Sequence, residues 1–325
     1  MIKEWTILIS IIIPVFNGEN YIRRCLNSVF AQTEKDYEII AVDDGSVDNS
    51  LSVLKEYECE NMKVIHTENK GVCHARNIGL KHCCGDYVTF LDVDDELRSD
   101  ALETLLRLLK THDADIAAGS KIYLKSDGTV RLPRVDQTKE EVWEGLTPLI
   151  KHIENHITGH SVYSKLYKRE IIENVRFEEG RKVNEDSFFS FQCFANAKKM
   201  VFLDTGIYRY YETPNSASRS KFSDKYFDIL YFAERKVELI NEKFPELQSY
   251  TSDIMMKANI FMLFNLCKTY EKKYRSAEKE CLKMVRSLKK QFVPVFSYEK
   301  KFLKIVGLGL FPLYKLYSYL RFYKS

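Results

Sequence analysis

The sequence predicts an α/β fold with a mostly parallel sheet, helices on both faces of the sheet and a helical C-terminal extension. Two observations lead to this prediction. Apolar, β-branched runs alternate with segments of helical spacing over the first 118 residues. Such alternation is typical of right-handed βαβ units, whose parallel strands are buried on both faces. From about residue 222 the spacing is helical to the end.

The individual elements follow from apolar spacing and from turn residues. The run at 7–16 is continuously apolar, as in a strand buried on both faces, and Asn17-Gly18 supplies a turn. The next helix places Ile22 and Leu26 on one face, and Ser99 is the predicted N-cap of a later helix. In chain order, strands are predicted at 7–16, 37–46, 62–67, 86–97 and 114–118, and helices at 19–32, 48–57, 71–81 and 100–109.

The composition is that of an ordinary globular protein and excludes several classes. Of the 325 residues, 45% are hydrophobic and 29% are charged, which excludes a disordered protein and a small disulfide scaffold. A net charge of +3 is too balanced to indicate a nucleic-acid partner. The eight cysteines form no CxxC pair, so we expect free thiols in the reducing cytoplasm and no zinc site.

Acidic side chains follow two of the predicted strands. Asp43 and Asp44 end the second strand, and Asp92, Asp94 and Asp95 end the strand at 86–97. The carboxyl ends of parallel strands meet at one edge of a sheet, which is where such folds bind ligands. Carboxylates suit Mg²⁺ or Mn²⁺, and these ions in turn hold a diphosphate. The alternative is an acidic cluster that stabilises the N-terminus of the next helix.

Two common nucleotide-binding motifs are missing from the sequence. No GxGxxG follows the first strand, and no GxxxxGK[ST] occurs anywhere. Neither a dinucleotide-binding fold nor a P-loop is therefore supported.

Six ordered blocks carry a family resemblance. The blocks are IIIPVFNGENYIRRCLNSVFAQT, EIIAVDDGSVDNS, NKGVCHARNIGL, YVTFLDVDDEL, SKLYKREII and VNEDSFF. In this order and spacing the chain resembles the family 2 glycosyltransferases over about residues 1–215. The resemblance implies a GT-A fold with a Rossmann-like nucleotide-binding sheet. It also implies an inverting enzyme of bacterial cell-surface polysaccharide biosynthesis, which moves a sugar from a UDP-sugar to a saccharide acceptor.

The resemblance implies a donor site. Pro14, Val15 and Phe16 would line the base pocket, with core packing as the alternative for Val15. Asp43 would accept a hydrogen bond from the uracil ring N–H, whereas Asp44 could cap the helix that follows. Arg76 would lie against the base or its oxygens, unless it is a surface arginine of its helix.

The resemblance also implies a metal site and a general base. Asp94 would bind Mn²⁺ or Mg²⁺, and Asp92 would assist there or contact the ribose or the sugar. Lys165 matches a family lysine that could contact phosphate or acceptor. Asp186 would be the general base, because a neutral sugar hydroxyl is a poor nucleophile, and Glu185 would position the acceptor or the base. The alternative for Asp186 is a simple cap of the helix at 187–197.

We accordingly predict three regions. Residues 1–118 would bind the nucleotide sugar, residues 119–220 would bind the acceptor, and residues 221–325 would form a helical region. The chain lacks the QxxRW-type motif of processive polysaccharide synthases. This absence favours the addition of one sugar per encounter. The sequence does not identify the sugar, the acceptor or the linkage.

The end of the chain has an unusual composition. From Lys300 to Ser325 there are six basic residues, no acidic ones and seven interleaved aromatic residues. No stretch reaches the roughly 18 apolar residues of a spanning helix. We therefore expect a protein at the inner face of the cell membrane, bound peripherally to anionic lipid and acting on a lipid-linked acceptor. The alternatives are a final helix docked on the core and a homodimer contact.

Two other functions are considered. A sugar-nucleotidyltransferase would also combine an α/β fold with metal and nucleotide, but the Gly-rich loop and lysine expected near the first strand are missing. A non-catalytic carbohydrate-binding protein on a transferase fold is the third hypothesis. The intact set of Asp43, Asp92, Asp94 and Asp186 argues against it.

Overall fold

The structure is a computed structural model that describes residues 8–125, 127–131, 139–154, 160–212, 221–292, 294 and 297–324. Its strands are β1 (Ile9–Val15), β2 (Tyr37–Asp43), β3 (Met62–His66), β4 (Tyr87–Phe90), β5 (Glu96–Leu97), β6 (Ile116–Leu124), β7 (Val130–Arg131), β8 (Glu140–Glu144), β9 (Lys165–Lys168) and β10 (Lys199–Tyr211). Its α-helices are α1 (Ile22–Phe30), α2 (Ser50–Glu56), α3 (Val72–His82), α4 (Ala101–His112), α5 (Thr147–Ile153), α6 (Arg169–Ile172), α7 (Glu185–Asn196), α8 (Asp228–Lys243), α9 (Thr251–Leu266), α10 (Arg275–Leu288), α11 (Ser297–Gly307) and α12 (Phe311–Lys324).

The chain divides into two compact units. The sheet unit comprises Met1–Arg181 and Glu185–Ser216, and the helical unit comprises Lys182–Asn184 and Ala217–Ser325. The sheet unit holds all the described strands, and the helical unit holds α8 to α12. The predicted α/β fold with a helical C-terminal extension is thus confirmed.

The first four strands of the sheet are parallel. Their spatial order is β3-β2-β1-β4, and Ile9 on β1 is in register with Tyr37 on β2 and with Tyr87 on β4. Every residue of β1 is buried. This burial explains why the strand is apolar and largely β-branched at every position except Ser10 and Pro14, since helices cover both faces of such a sheet.

Beyond β4 the sheet is mixed. β9 runs antiparallel to both β4 and β6, whereas β10 runs parallel to β6. The short strand β5 and the strand β8 pair antiparallel with β10. The long strand β10 thereby passes beside the segment that follows β4, which carries Asp92, Asp94 and Asp95.

The strand predicted at 86–97 is interrupted. β4 ends at Phe90, the acids between Asp92 and Asp95 lie in a turn, and pairing resumes only at β5. A continuous strand here would carry several carboxylates into a covered sheet, which is costly. The predicted cap at Ser99 is also wrong. Asp100 is the N-cap residue of α4, and its carboxylate pairs with Arg98 instead of capping the helix.

The helical unit is built around α9. This helix buries residues on most of its circumference, including Met256, Ile260 and Leu263. A helix that is apolar nearly all round belongs in the centre of a bundle. Among the described residues, no helix is both long enough and apolar enough to cross a membrane.

Candidate active site

Arg76 joins two acidic segments that are distant in sequence. It lies on α3, and its guanidinium is buried. Nη2 lies 2.9 Å from Oδ1 of Asp92 in the turn after β4, and Nη1 lies 3.4 Å from Oε1 of Glu185 at the start of α7. The guanidinium also lies 5.3 Å from the ring centroid of Phe177. The predicted acidic turn and the predicted Glu185-Asp186 pair therefore form one site around a buried cation.

The Glu185-Asp186 pair is held in an environment that favours protonation. Burial and the neighbouring Asp186 charge raise the pKa of Glu185 to about 7, while Arg76 opposes the rise. Burial also raises the pKa of Asp186, again opposed by Arg76. A carboxylate with a raised pKa is a better proton acceptor than an ordinary aspartate near neutral pH.

Asp186 also interacts with the backbone of its own helix. Its Oδ1 accepts a hydrogen bond from the backbone N–H of Ser187 at 2.7 Å. This contact stabilises the first turn of α7 and fixes the side chain. Helix stabilisation and proton acceptance are compatible, because a carboxylate has two oxygens and several lone pairs.

The acidic turn is tied to β10 through Asp95. Its Oδ2 accepts a hydrogen bond from the Tyr208 hydroxyl at 2.8 Å, and its Oδ1 accepts one from the Tyr211 N–H at 2.8 Å. Burial and the charges of Asp92 and Asp94 raise the pKa of Asp95 to about 8. Asp95 therefore has a structural role, as it positions the turn that carries the other two carboxylates.

The predicted metal site can be tested against this turn. The described part of the chain holds no group of three or more His, Cys, Asp or Glu side chains arranged to bind a metal ion. Mg²⁺, however, is commonly held by one or two carboxylates together with substrate phosphates and water. Asp92 and Asp94 are two carboxylates in one short turn, and their charges add to burial in raising the pKa of Asp95. These residues fit a cation that binds together with a diphosphate, and do not fit an all-protein metal site.

A buried carboxylate lies at the end of β2. Asp43 is 0% exposed, and its Oδ2 lies 2.6 Å from Nδ1 of His66. Its other oxygen, Oδ1, is buried and has no hydrogen-bond partner among the described residues. Buried acceptors of this kind are rare in folded proteins, so a ligand donor is the natural partner.

The three residues predicted to line a base pocket differ in exposure. Phe16 is 48% exposed and directly follows β1. Pro14 and Val15 are buried within β1, and Val15 belongs to the main apolar core. Among the three, only the Phe16 ring is available for stacking on a base. The core-packing alternative holds for the Val15 side chain.

Asp44 has a different role from its neighbour Asp43. Its carboxylate accepts hydrogen bonds from the backbone N–H groups of Lys70 and Gly71, at 3.0 Å and 2.7 Å. It thus fixes the loop that leads into α3 and does not cap α2, contrary to the alternative considered from the sequence. The contact helps to place Arg76 one turn further along α3.

Lys165 does not lie where a substrate could reach it. It is 0% exposed on β9, and its Nζ donates a hydrogen bond to the Ser161 carbonyl at 2.6 Å. Burial and the nearby Lys121 charge lower the pKa of Lys165 to about 7. The structure therefore does not support the predicted contact with phosphate or acceptor. The reason is topological, since β9 is an interior strand between β4 and β6.

Two residues of the site were not found by sequence reasoning. Lys121 donates a hydrogen bond to the Tyr163 hydroxyl at 3.3 Å, and Tyr163 stacks on Tyr208 with ring centroids 4.4 Å apart. The Lys121 charge acts to lower the pKa of Asp186, and the Asp186 charge acts to raise that of Tyr163. Both residues therefore lie near Asp186. No motif marks them, because isolated lysines and tyrosines are common in this chain.

The chain is similar in sequence to a known protein family. The profile of the family described as glycosyl transferase family 2 matches residues 10–176, which is just over half of the 325 residues. Glycosyltransferase GlyA of Streptococcus pneumoniae is 34% identical over 73% of the chain, and the match covers 35% of GlyA. Glycosyltransferase GlyG of the same organism is 29% identical over 81% of the chain and 88% of GlyG.

A solved structure shows a similar fold over most of the chain. Residues 1–349 of TarS from S. aureus, crystallised in complex with UDP-GlcNAc, superpose with a TM-score of 0.72 at 21% identity. The superposition covers 97% of this chain and 91% of that one. TarS is named as a poly(ribitol-phosphate) beta-N-acetylglucosaminyltransferase.

Proposed function

Because the chain belongs to glycosyl transferase family 2, we propose that it transfers a sugar from a UDP-sugar to a hydroxyl group of a saccharide acceptor, with inversion at the anomeric carbon. The observation that carries this proposal is the meeting of Asp92, Glu185 and Asp186 around the buried Arg76. These carboxylates come from two distant segments and lie at the edge of a sheet where such folds bind ligands. The chain spans only 35% of GlyA, so the proposal concerns the activity of this chain alone.

The donor nucleotide would be recognised at the ends of β1 and β2. The unpartnered Oδ1 of Asp43 would accept the uracil ring N–H, and His66 would hold the other oxygen in place. The exposed Phe16 ring would stack on the base. The complex of TarS with UDP-GlcNAc supports a UDP-sugar as donor.

The substitution Phe16→Ala tests this donor site. We expect UDP affinity to fall by roughly 5- to 150-fold, because stacking of one base on an aromatic ring contributes about 1–3 kcal/mol. Isothermal titration calorimetry with UDP measures the change. Val47→Ala is the matched control, since Val47 is also an exposed apolar residue and follows β2 in the same region. Equal UDP affinity for Phe16→Ala and the wild type would remove Phe16 from the donor site.

We propose Asp94, with Asp92, as the residues that would hold Mn²⁺ or Mg²⁺. When bound, the ion would neutralise the developing charge on the leaving diphosphate, so that no acidic residue is required there. Arg76 fixes one oxygen of Asp92 and so orients that carboxylate toward the site. Arg24 holds the backbone carbonyl of Asp94 and so fixes the turn.

Metal removal and Asp94→Asn test this assignment together. For the wild type we expect EDTA to weaken UDP binding by about tenfold or more, since metal coordination of charged oxygens contributes several kcal/mol. For Asp94→Asn we expect UDP affinity in Mn²⁺ to approach the value in EDTA. Calorimetry in both buffers makes the comparison. Full transfer activity of the wild type in EDTA would contradict the metal assignment.

The acceptor hydroxyl would be activated by Asp186. As its oxygen bonds to the anomeric carbon, the hydroxyl proton passes to the Asp186 carboxylate. The bond between the anomeric carbon and the diphosphate oxygen breaks, and UDP leaves with the bonding electrons. Glu185 and Arg76 would hold the base in position, and the nearby Lys121 and Tyr163 are suited to contact the acceptor.

We further propose that the acceptor belongs to a cell-surface polysaccharide and is carried on a lipid. The name of TarS, which specifies a poly(ribitol-phosphate) acceptor, supports the polysaccharide context. A panel of UDP-sugars with Mn²⁺ tests the reaction class. Release of UDP supports transfer, whereas formation of a nucleotide sugar from UTP and a sugar phosphate would indicate the nucleotidyltransferase. Binding of saccharide without any turnover would indicate the non-catalytic protein.

A further inference from the structure

The helical unit exposes apolar side chains on one side of its last helix. On α12, Leu313, Leu316 and Tyr317 are 65%, 48% and 61% exposed. Their spacing of three and four residues places them on one face of the helix. In the turn that precedes α12, Leu308 and Leu310 are exposed as well. Single exposed apolar side chains are normal at a protein surface, but five large ones within ten residues form a cluster that calls for an explanation.

The opposite side of α12 is packed. Phe311 is buried and lies edge-on to the buried Phe302 of α11, with centroids 6.0 Å apart. Lys315 is also buried and forms an ion pair with Glu278 of α10. These contacts fix the orientation of α12, so packing within the helical unit determines which side chains of the helix are exposed. Phe302, Phe311 and Lys315 of the tail therefore face the protein.

Cationic side chains lie on α11, which leads into the turn that carries the exposed Leu308 and Leu310. Lys300, Lys301 and Lys304 are exposed on α11, at spacings that place them along one side of the helix with Leu308 one turn beyond Lys304. None of the three forms an ion pair with a residue in the described part of the chain. The sequence contains no acidic residue from 300 to 325. Free positive charge therefore lies beside exposed leucines.

We propose that this corner, formed by Lys300, Lys301, Lys304, Leu308, Leu310, Leu313, Leu316 and Tyr317, docks on a lipid surface that carries anionic headgroups. Leucine side chains would enter the boundary between headgroups and acyl chains, and the lysines would meet lipid phosphates. A second copy of the chain fits less well. A symmetric contact through the same patch would bring two lysine sets together or leave them without partners. The docking surface stands independently of the sugar-transfer proposal.

The test is sedimentation of the full chain with vesicles. Two vesicle types are compared, phosphatidylcholine alone and phosphatidylcholine mixed with phosphatidylglycerol, at low and high salt. We expect the wild type to bind the anionic vesicles at least tenfold more tightly and to lose this preference in high salt, because exposed charges are screened. The triple variant Leu313→Ser, Leu316→Ser, Tyr317→Ser should lose binding at both salt concentrations. The triple variant Lys300→Gln, Lys301→Gln, Lys304→Gln should lose only the preference for anionic vesicles.

The control is Phe261→Ser with Met284→Ser, which removes exposed apolar side chains elsewhere in the helical unit and should bind like the wild type. Thermal unfolding of each variant establishes that it is folded, and the lysine variant, which changes only exposed polar ends, provides the test if the leucine variant unfolds. Failure of the wild type to bind anionic vesicles would overturn the proposal. So would a dimer of the wild type in analytical ultracentrifugation that the leucine variant abolishes while vesicle binding is unchanged.

Discussion

Replacing Asp186 with asparagine is expected to lower kcat by about 10²–10⁴-fold and to leave UDP-sugar binding nearly unchanged. Asparagine keeps the shape of the side chain, and its amide oxygen can still accept the hydrogen bond from the Ser187 N–H. It cannot accept the proton of the acceptor hydroxyl. The variant therefore separates proton acceptance from helix stabilisation. Initial rates of UDP release with acceptor, together with calorimetry of donor binding, measure the two effects.

The matched control for this prediction is Glu185→Gln. Glu185 contacts Arg76, so its replacement should disturb the site, but we expect a smaller loss of kcat than for Asp186→Asn. If Asp186→Asn keeps nearly wild-type turnover, Asp186 acts only in the first turn of α7. A large loss for Glu185→Gln in that case would identify Glu185 as the base.

Replacing Arg76 with methionine is expected to reduce the free energy of unfolding by roughly 3–5 kcal/mol and to impair turnover. The reason is that removal of the buried cation leaves the partly buried carboxylates of Asp92 and Glu185 without their counter-charge. Arg76 lowers the pKa of Glu185 and of Asp186, so both pKa values should rise further in the variant. When carboxylates bind protons more tightly in the folded state than in the unfolded state, the free energy of unfolding falls as pH rises. The destabilisation should therefore be larger at pH 8 than at pH 6.

Urea unfolding of both proteins at the two pH values measures this effect. Arg107→Met is the control, because Arg107 forms an exposed ion pair with Glu140 and such pairs contribute only about 0–1 kcal/mol. The acid limb of the rate profile of Arg76→Met should also lie at higher pH than that of the wild type. Equal stability of Arg76→Met and Arg107→Met would contradict the central place given to Arg76.

The parallel half of the sheet was predictable because its signals are local. All residues of β1 except Ser10 are apolar, on both faces of the strand, as expected for a strand covered on both faces. The position of the acidic residues at the ends of β2 and β4 was predictable as well, because these residues directly follow the apolar runs in the sequence. The interruption after Phe90 was not, because the turn depends on hydrogen bonds that Asp95 makes to Tyr208 and Tyr211, more than a hundred residues away.

The surroundings of the site depend on tertiary contacts that sequence spacing does not encode. Arg76 was expected near the base of the nucleotide. Its partner Glu185 is 109 residues away in sequence and becomes its neighbour only through the fold. Lys165 lies in a matching block, but the block forms an interior strand and buries the ammonium group. In the C-terminal tail the composition indicated cations and aromatic rings, whereas only packing reveals that the leucines of α12 face outward.

The most direct measurement of the central claim is the anomeric configuration of the first product formed from an α-linked UDP-sugar. Proton NMR during the reaction distinguishes the α and β anomers before they equilibrate. Attack of a hydroxyl activated by Asp186 in a single displacement predicts a β product, formed by the wild type and lost with Asp186→Asn. An α product would require a second displacement, and it would contradict the assignment of Asp186 as the general base of an inverting transfer.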